Sequence, residues 1–430
     1  MNPVPSMQKK NVLVFTLSPP LPASAGGPIY VMNALAPLVD EYDFHLFTIG
    51  GEEEKKKIEA NHALYSRHFK SVHVEPRAAM PAEKGTLRRV LHSLVHTWHG
   101  LPFMDASYFS HSAIKSALKI IKEKKIDLLE VHSSHLAFFR KFAPELPAIL
   151  VSHNIESDLF PFWIPAGLTG WQKAAVEKVA QISRRNAQRV EIDNAWKFDA
   201  MTFISQEDMN RITAPVEKHY LPLCFPVKDI DYRKKPADAL NLLWMGGFWW
   251  YPNAEGVAWF IREILPLVKD KLEEHNIRLH FTGAHPPDDL KAIHDGQHIF
   301  VHGFVPSLDP ILADAHLLFV PLLSGGGVRV KILEAMSNGI PVLSTSKGCE
   351  GLGAVDHRDI VICNTAREFA DAMIELAQDH DKLALLSENA RALLNSKYDL
   401  VACVDAKRRL YNKLMKVTGS ESARMASASH

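Results

Sequence analysis

Three consecutive glycines, Gly325, Gly326 and Gly327, stand directly before an amphipathic segment carrying Arg329, Lys331 and Glu334. A glycine run ahead of a helix frees main-chain N–H groups and lets the backbone approach a ligand closely. The helix dipole and two cations favour an anion there. A carboxylate one turn behind can accept hydrogen bonds from hydroxyls. Phosphate on the glycines and cations, with ribose on the carboxylate, describes a nucleotide diphosphate sugar. The plainer reading is a loop and helix of an α/β sheet with a solvated Arg/Lys face, because glycine runs alone are weak motifs.

Two histidine clusters are the next candidates. Glu130-Val131-His132-Ser133-Ser134-His135 ends one short apolar run, and Ser152-His153-Asn154-Ile155-Glu156-Ser157 ends another. Histidine titrates near neutral pH and can position or deprotonate a hydroxyl. With 22 histidines in the chain, any single one is more often structural. A second Pro/Gly loop, Ser18–Pro28, carries Gly26-Gly27 at a helix start, where free N–H groups could meet a phosphate. Met245-Gly246-Gly247 then runs into Phe248-Trp249-Trp250-Tyr251, whose aromatics suit packing between domains.

Alternating short apolar runs and helical patterns must position these residues, which argues for βα units and parallel sheets. Strands are predicted at 11–17, 44–49, 127–132, 148–153 and 200–205, with helices from Pro28 to about Val39 and over 171–198. Pro222, Pro226 and Pro236 with Arg233-Lys234-Lys235 mark a linker, after which the pattern restarts. The second set predicts strands at 240–245, 278–282, 317–320, 342–345 and 360–362, and helices at 253–267, 308–313 and 328–337. The boundaries are an N-terminal domain over 1–220, a linker over 221–238, a second domain over 239–395, a helix over 396–417 and a disordered tail over 418–430. Two open α/β domains in tandem form a cleft where strand carboxyl ends face each other.

Lys+Arg and Asp+Glu are both 49, so no net charge points to nucleic acid. The four scattered cysteines read as reduced thiols of a cytoplasmic protein, with no disulfide framework, metal site or cofactor. No apolar run approaches the roughly 20 residues of a spanning helix. Lys9-Lys10 before Val12–Phe15 mimics a signal peptide, but the short run ending in Ser18-Pro19-Pro20 fits a first strand better. Residues 84–99 carry Arg88, Arg89, His92, His96 and His99 opposite an apolar face. That pattern fits a solvated helix or a peripheral membrane contact.

Residues 321–352 resemble the donor-site signature of family 4 glycosyltransferases (group 1 glycosyl transferases). The matching residues are the glycine loop, then Arg329, Lys331, Glu334, Ala335, Met336, Gly339, Pro341, Val342, Ser344, Thr345, Glu350, Gly351 and Leu352. The likeness extends more thinly over about 11–415 and implies the α/β GT-B fold, two Rossmann-like domains with parallel sheets facing across a cleft. It implies a nucleotide-sugar donor held by Gly26, Gly27, Gly246, Val305, Gly325, Gly326, Gly327, Val328 and Glu334, with Arg329 and Lys331 on the leaving diphosphate. The Asp127-to-His132 spacing matches a family strand whose histidine sits at the donor sugar, so His132 ranks ahead of His153, His135 and Asn154 on the acceptor side. The acceptor is an unidentified glycan, lipid-linked or small-molecule hydroxyl, without metal and with retained configuration, in glycan or polysaccharide biosynthesis.

Two departures bear on that implication. The lysine many family members carry shortly after the Gly246 glycine is absent. The first of two family glutamates, seven residues before Glu334, falls on Gly326. A nucleotide-sugar epimerase, or a catalytically inactive nucleotide-sugar-binding scaffold, are the alternatives.

Overall fold

Long runs such as Val12-Leu13-Val14-Phe15 are wholly buried, as expected of strands covered on both faces. In the computed structural model they assemble into two sheets, one in each of two compact units: residues 1–223 with 401–430, and residues 224–400. The described residues are 9–23, 26–76, 108, 110–159, 170–195, 197–235 and 239–427. The basic stretch 84–99 lies outside them.

The first unit holds seven parallel strands: β1 (Lys10–Thr16), β2 (Tyr42–Ile49), β3 (Ser71–Glu75), β4 (Leu128–His132), β5 (Ala148–Ser152), β6 (Ala200–Phe203) and β7 (Glu217–Tyr220). Their order is β3-β2-β1-β4-β5-β6-β7. The chain therefore reverses its winding between β1 and β4, which places the loops after those strands at a topological switch point. β3 and β7 are absent from the sequence expectation. Both are sheet edges, and their Ser-Val-His-Val-Glu and Glu-Lys-His-Tyr sequences are mostly half-exposed, so neither forms an apolar run.

The second unit holds six parallel strands: β8 (Leu240–Met245), β9 (Ile277–Thr282), β10 (Ile299–Gly303), β11 (Leu317–Val320), β12 (Val342–Ser344) and β13 (Val361–Ile362). The order β10-β9-β8-β11-β12-β13 puts its switch point between β8 and β11. The predicted helix 253–267 is instead Tyr251–Trp259, a π turn at Phe260–Ile264 and a helix Leu265–Glu274. Pro266 lacks an N–H, so the helical ladder must shift register just before it.

The helix Leu400–Ser427 belongs to the first unit. Its backbone is helical past Thr418, within the span expected to be a disordered tail.

Candidate functional site

Both candidate clusters fall at the carboxyl ends of strands beside a switch point. In the second unit, the loop after β11 carries Gly325, Gly326 and Gly327 into the helix Val330–Ser337. Gly325 and Gly327 take φ of +110° and +71°, a region that favours glycine, while a Cβ on Gly326 would meet open space. Arg329 is the residue preceding that helix, one position earlier than the predicted first turn, and Lys331 lies in the first turn.

The Arg329 guanidinium folds back on the loop. Its Nη1 donates to the carbonyls of Gly326 and Gly327, and its Nη2 reaches the Lys347 carbonyl at 3.4 Å. Its Nε is buried with no partner. Lys331 Nζ donates to Asn253 Oδ1 at 2.9 Å and lies 4.7 Å from the centre of the Trp244 ring. Burial, and then the nearby Arg329 charge, pull Lys331 down to about 7. Burial likewise lowers Arg329. Two desolvated cations thus flank one glycine loop, and none of the ion pairs among the described residues involves either.

The loop after β8 closes the other side. A Cβ on Gly246 would lie 2.8 Å from Lys331 Nζ and from Asn253 Nδ2, so only glycine lets the lysine in. The Trp249 indole folds over Gly247, with Nε1 2.4 Å from where a Cβ would stand, yet the side chain is 69% exposed. Ser324 donates to Glu255, which also accepts from the Tyr251 hydroxyl at 3.0 Å. Sequence reasoning passed over Asn253 and Glu255, which tie the two loops of this unit together. Glu334 sits half-buried on the helix, its carboxyl raised by burial and then by Asp309. Val328 is buried, and Val305 lies half-buried in the loop after β10.

In the first unit, Gly26 and Gly27 open the helix Gly26–Leu35 after β1. His132 ends β4, and His153 follows β5. The expectation that the His132 ring reaches a substrate needs correcting. The ring is 3% exposed and both nitrogens are engaged: Nε2 with Glu130 Oε1 at 2.8 Å, Nδ1 with His153 Nε2 at 2.9 Å. A position two residues beyond a buried carboxylate turns it inward. The Asp127 that suggested its role instead binds Lys10 and the Asn11 N–H at the opposite end of the strand.

His153 is half-exposed, and its Nδ1 is 3.7 Å from a Cβ built on Gly27. The edge of Tyr30 packs on it at 5.0 Å. His135 is buried and faces Glu156 Oε2 at 3.3 Å. Asn154 is half-buried, its carbonyl accepting from Ser152 Oγ. Glu130, Lys407 and Tyr411 had no assigned role in the sequence. The signal for Glu130 was a carboxylate inside the apolar run Leu128-Leu129-Glu130-Val131, which requires a buried partner.

Two parallel, doubly wound sheets, each with a residue cluster beside its switch point, are the architecture of the GT-B fold. The chain shares this fold with Anabaena Alr3699/HepE in complex with UDP-glucose, at TM-score 0.61 and 14% identity over 94% of this chain and 99% of that one. It also matches a sucrose-phosphate synthase from Thermosynechococcus elongatus at TM-score 0.62 and 14% identity, over 95% and 100% of the two chains. Residues 239–379, within the second unit, match the family model for glycosyl transferases group 1. A Klebsiella pneumoniae protein described as an uncharacterized 44.6 kDa protein in cps region is 29% identical over 212 residues, 47% of this chain and 53% of the relative. The chain thus matches about half the length of that curated relative. No described helix is long and apolar enough to cross a membrane.

Proposed function

We propose that this protein transfers a sugar from a nucleotide diphosphate sugar to an acceptor hydroxyl. The observation that carries the proposal is the pair of desolvated cations on the glycine loop. Lys331 is held down to about 7 and Arg329 keeps a buried Nε without a partner. A buried charge without a counter-charge is costly, and an anionic ligand removes that cost. A diphosphate at Gly325–Gly327 would meet main-chain N–H groups, the helix N-terminus and both cations together. Gly246 and Gly247 would face the same group, and Glu334, Val328 and Val305 would take the ribose and base.

The same cations would neutralise the leaving diphosphate without a metal. UDP-sugars are the first donors to try, since UDP-glucose is bound by the Anabaena neighbour. In the first unit, Gly26, Gly27 and His153 would serve the transfer and its acceptor, with His135 and Asn154 beside them. A pathway building glycans or glycoconjugates, retention of configuration, and work in the cytoplasm at or near a membrane face complete the reading; the relative from a cps region supports the first of these.

The test is product analysis. UDP-glucose and other nucleotide diphosphate sugars are incubated with the protein, with and without glycan and lipid-linked acceptors. Acceptor-dependent release of nucleoside diphosphate with a glycosylated product is expected. Conversion of donor alone into an epimer would replace the reading with the epimerase, and binding without turnover under any acceptor would leave the inactive scaffold.

A further inference from the structure

Glu130 lies in the middle of β4 with 0% exposure, between Leu129 and Val131. Its partners come from the far end of the chain. Lys407 Nζ donates to Oε1 at 2.7 Å, and the Tyr411 hydroxyl donates to Oε2. Both residues sit on the helix Leu400–Ser427, and Lys407 is itself only 5% exposed. Burial alone would raise the Glu130 carboxyl, but the Lys407 ammonium and the His132 ring hold it well below the usual carboxylate range.

The carboxylate is therefore ionised and can only accept hydrogen bonds. His132 must carry its proton on Nε2 to donate to it at 2.8 Å. Burial keeps the His132 ring neutral, so Nδ1 is bare and accepts from His153 Nε2 at 2.9 Å. His153, lowered to about 3 by burial and then by the His132 ring, is neutral as well. Its one proton is committed to Nε2, and Nδ1 is left with a lone pair beside Gly27.

We infer that Lys407, acting through Glu130, is a positioning residue that fixes the tautomer of the His132–His153 pair, so that His153 Nδ1 presents an acceptor to a substrate hydroxyl. Without an ionised carboxylate at Oε1, either neutral tautomer of His132 becomes available, and one of them turns an N–H of His153 towards the substrate. Lys407 follows the whole second unit in the chain, so the first unit's cluster is completed by a helix 277 residues beyond Glu130. What His153 does to a hydroxyl rests on the proposed glycosyl transfer. The tautomer does not.

Nitrogen-15 NMR of the histidine-labelled full chain reads the tautomer without donor or acceptor. The His153 ring, assigned by its loss in His153→Gln, is expected to carry its proton on Nε2 with Nδ1 bare. In Lys407→Met the buried Glu130 loses the charge that keeps it ionised; with a proton taken up from solvent its carboxyl can donate to His132 Nε2, and the protons should shift so that His153 carries Nδ1–H. Turnover of that variant should fall about 100-fold, as for a histidine in the wrong tautomer, with nucleoside diphosphate affinity unchanged. Tyr411→Phe should keep the wild-type tautomer, because Lys407 still holds the carboxylate. A wild-type His153 with Nδ1–H overturns the inference even if no variant folds, and so does a folded Lys407→Met protein with unchanged turnover or tautomer. Failure of any nucleotide to bind would remove the glycosyl transfer and leave the tautomer result standing.

Discussion

Lys331 Nζ reaches across to Asn253 Oδ1 at 2.9 Å, through the space that a side chain at Gly246 would fill. The lysine arrives from the helix after β11 and the asparagine from the helix after β8, so the two strands flanking the switch point of the second sheet meet at one ammonium. That meeting makes the ammonium's protonation the sensitive quantity of the site.

Affinity for a nucleotide diphosphate sugar should therefore fall as pH rises. Free Lys331 loses its proton at about 7, and a bound diphosphate raises that value. Above it the complex must take up a proton, so the dissociation constant should climb roughly tenfold per pH unit until the lysine's value in the complex is reached. The diphosphate diester has no titrating group in this range. Calorimetry in buffers of different ionisation enthalpy should register the uptake, and Lys331→Met should abolish it. An affinity constant from about pH 6 to about pH 9 would contradict the assignment.

Arg329→Lys should not rescue donor binding. The guanidinium holds the carbonyls of Gly326 and Gly327 while keeping Nε free, a spread of donors that one ammonium cannot reproduce. Arg329→Lys and Arg329→Ala should each lose about tenfold or more in donor affinity with little change in melting temperature. Equal affinity in the lysine variant would show that only charge matters there.

Gly283→Ala should destabilise the fold. A Cβ there would stand 1.9 Å from the Gly246 carbonyl oxygen, at a φ of +153°. Backbone must shift to admit it, at roughly 1–3 kcal/mol or more, visible as a lower denaturation midpoint. Because Gly246 moves with it, donor affinity should drop too. A variant as stable as wild type would mean that the two loops are free to part.

Glu191 gives the first unit a pH dependence of its own. Burial, and then the Glu156 charge, raise it from 4.5 to about 7. A carboxyl raised on folding binds more protons folded than unfolded, so stability falls as pH climbs through that window, by up to about 3 kcal/mol. Glu191→Gln should remove the slope and be the more stable protein at pH about 8. Chemical denaturation at several pH values checks this, and a wild-type slope of the opposite sign would refute it.

Much of this was legible because apolar runs report buried parallel strands directly. Leu240–Met245 and Leu317–Val320 have the bounds read from the sequence. Edge strands such as Glu217–Tyr220 were invisible, since half-exposed polar strands lack that pattern. The glycine loop and its cations were legible from local spacing. The Glu130–Lys407 contact was not, because 277 residues separate the partners and only the fold brings them together. His132 was misread for a related reason: its spacing from Asp127 says where it lies on the strand, whereas the buried Glu130 decides which way its nitrogens face.

The central claim is that Arg329, Lys331 and the glycine loop bind a nucleotide diphosphate sugar. A thermal-shift screen of the full chain against UDP-glucose and other nucleotide diphosphate sugars tests it most directly, since a ligand binding only the native state raises the midpoint. At least one donor should raise the midpoint of the wild type and fail to do so in an Arg329→Ala, Lys331→Met double variant. No shift with any donor, or an equal shift in the double variant, would contradict it.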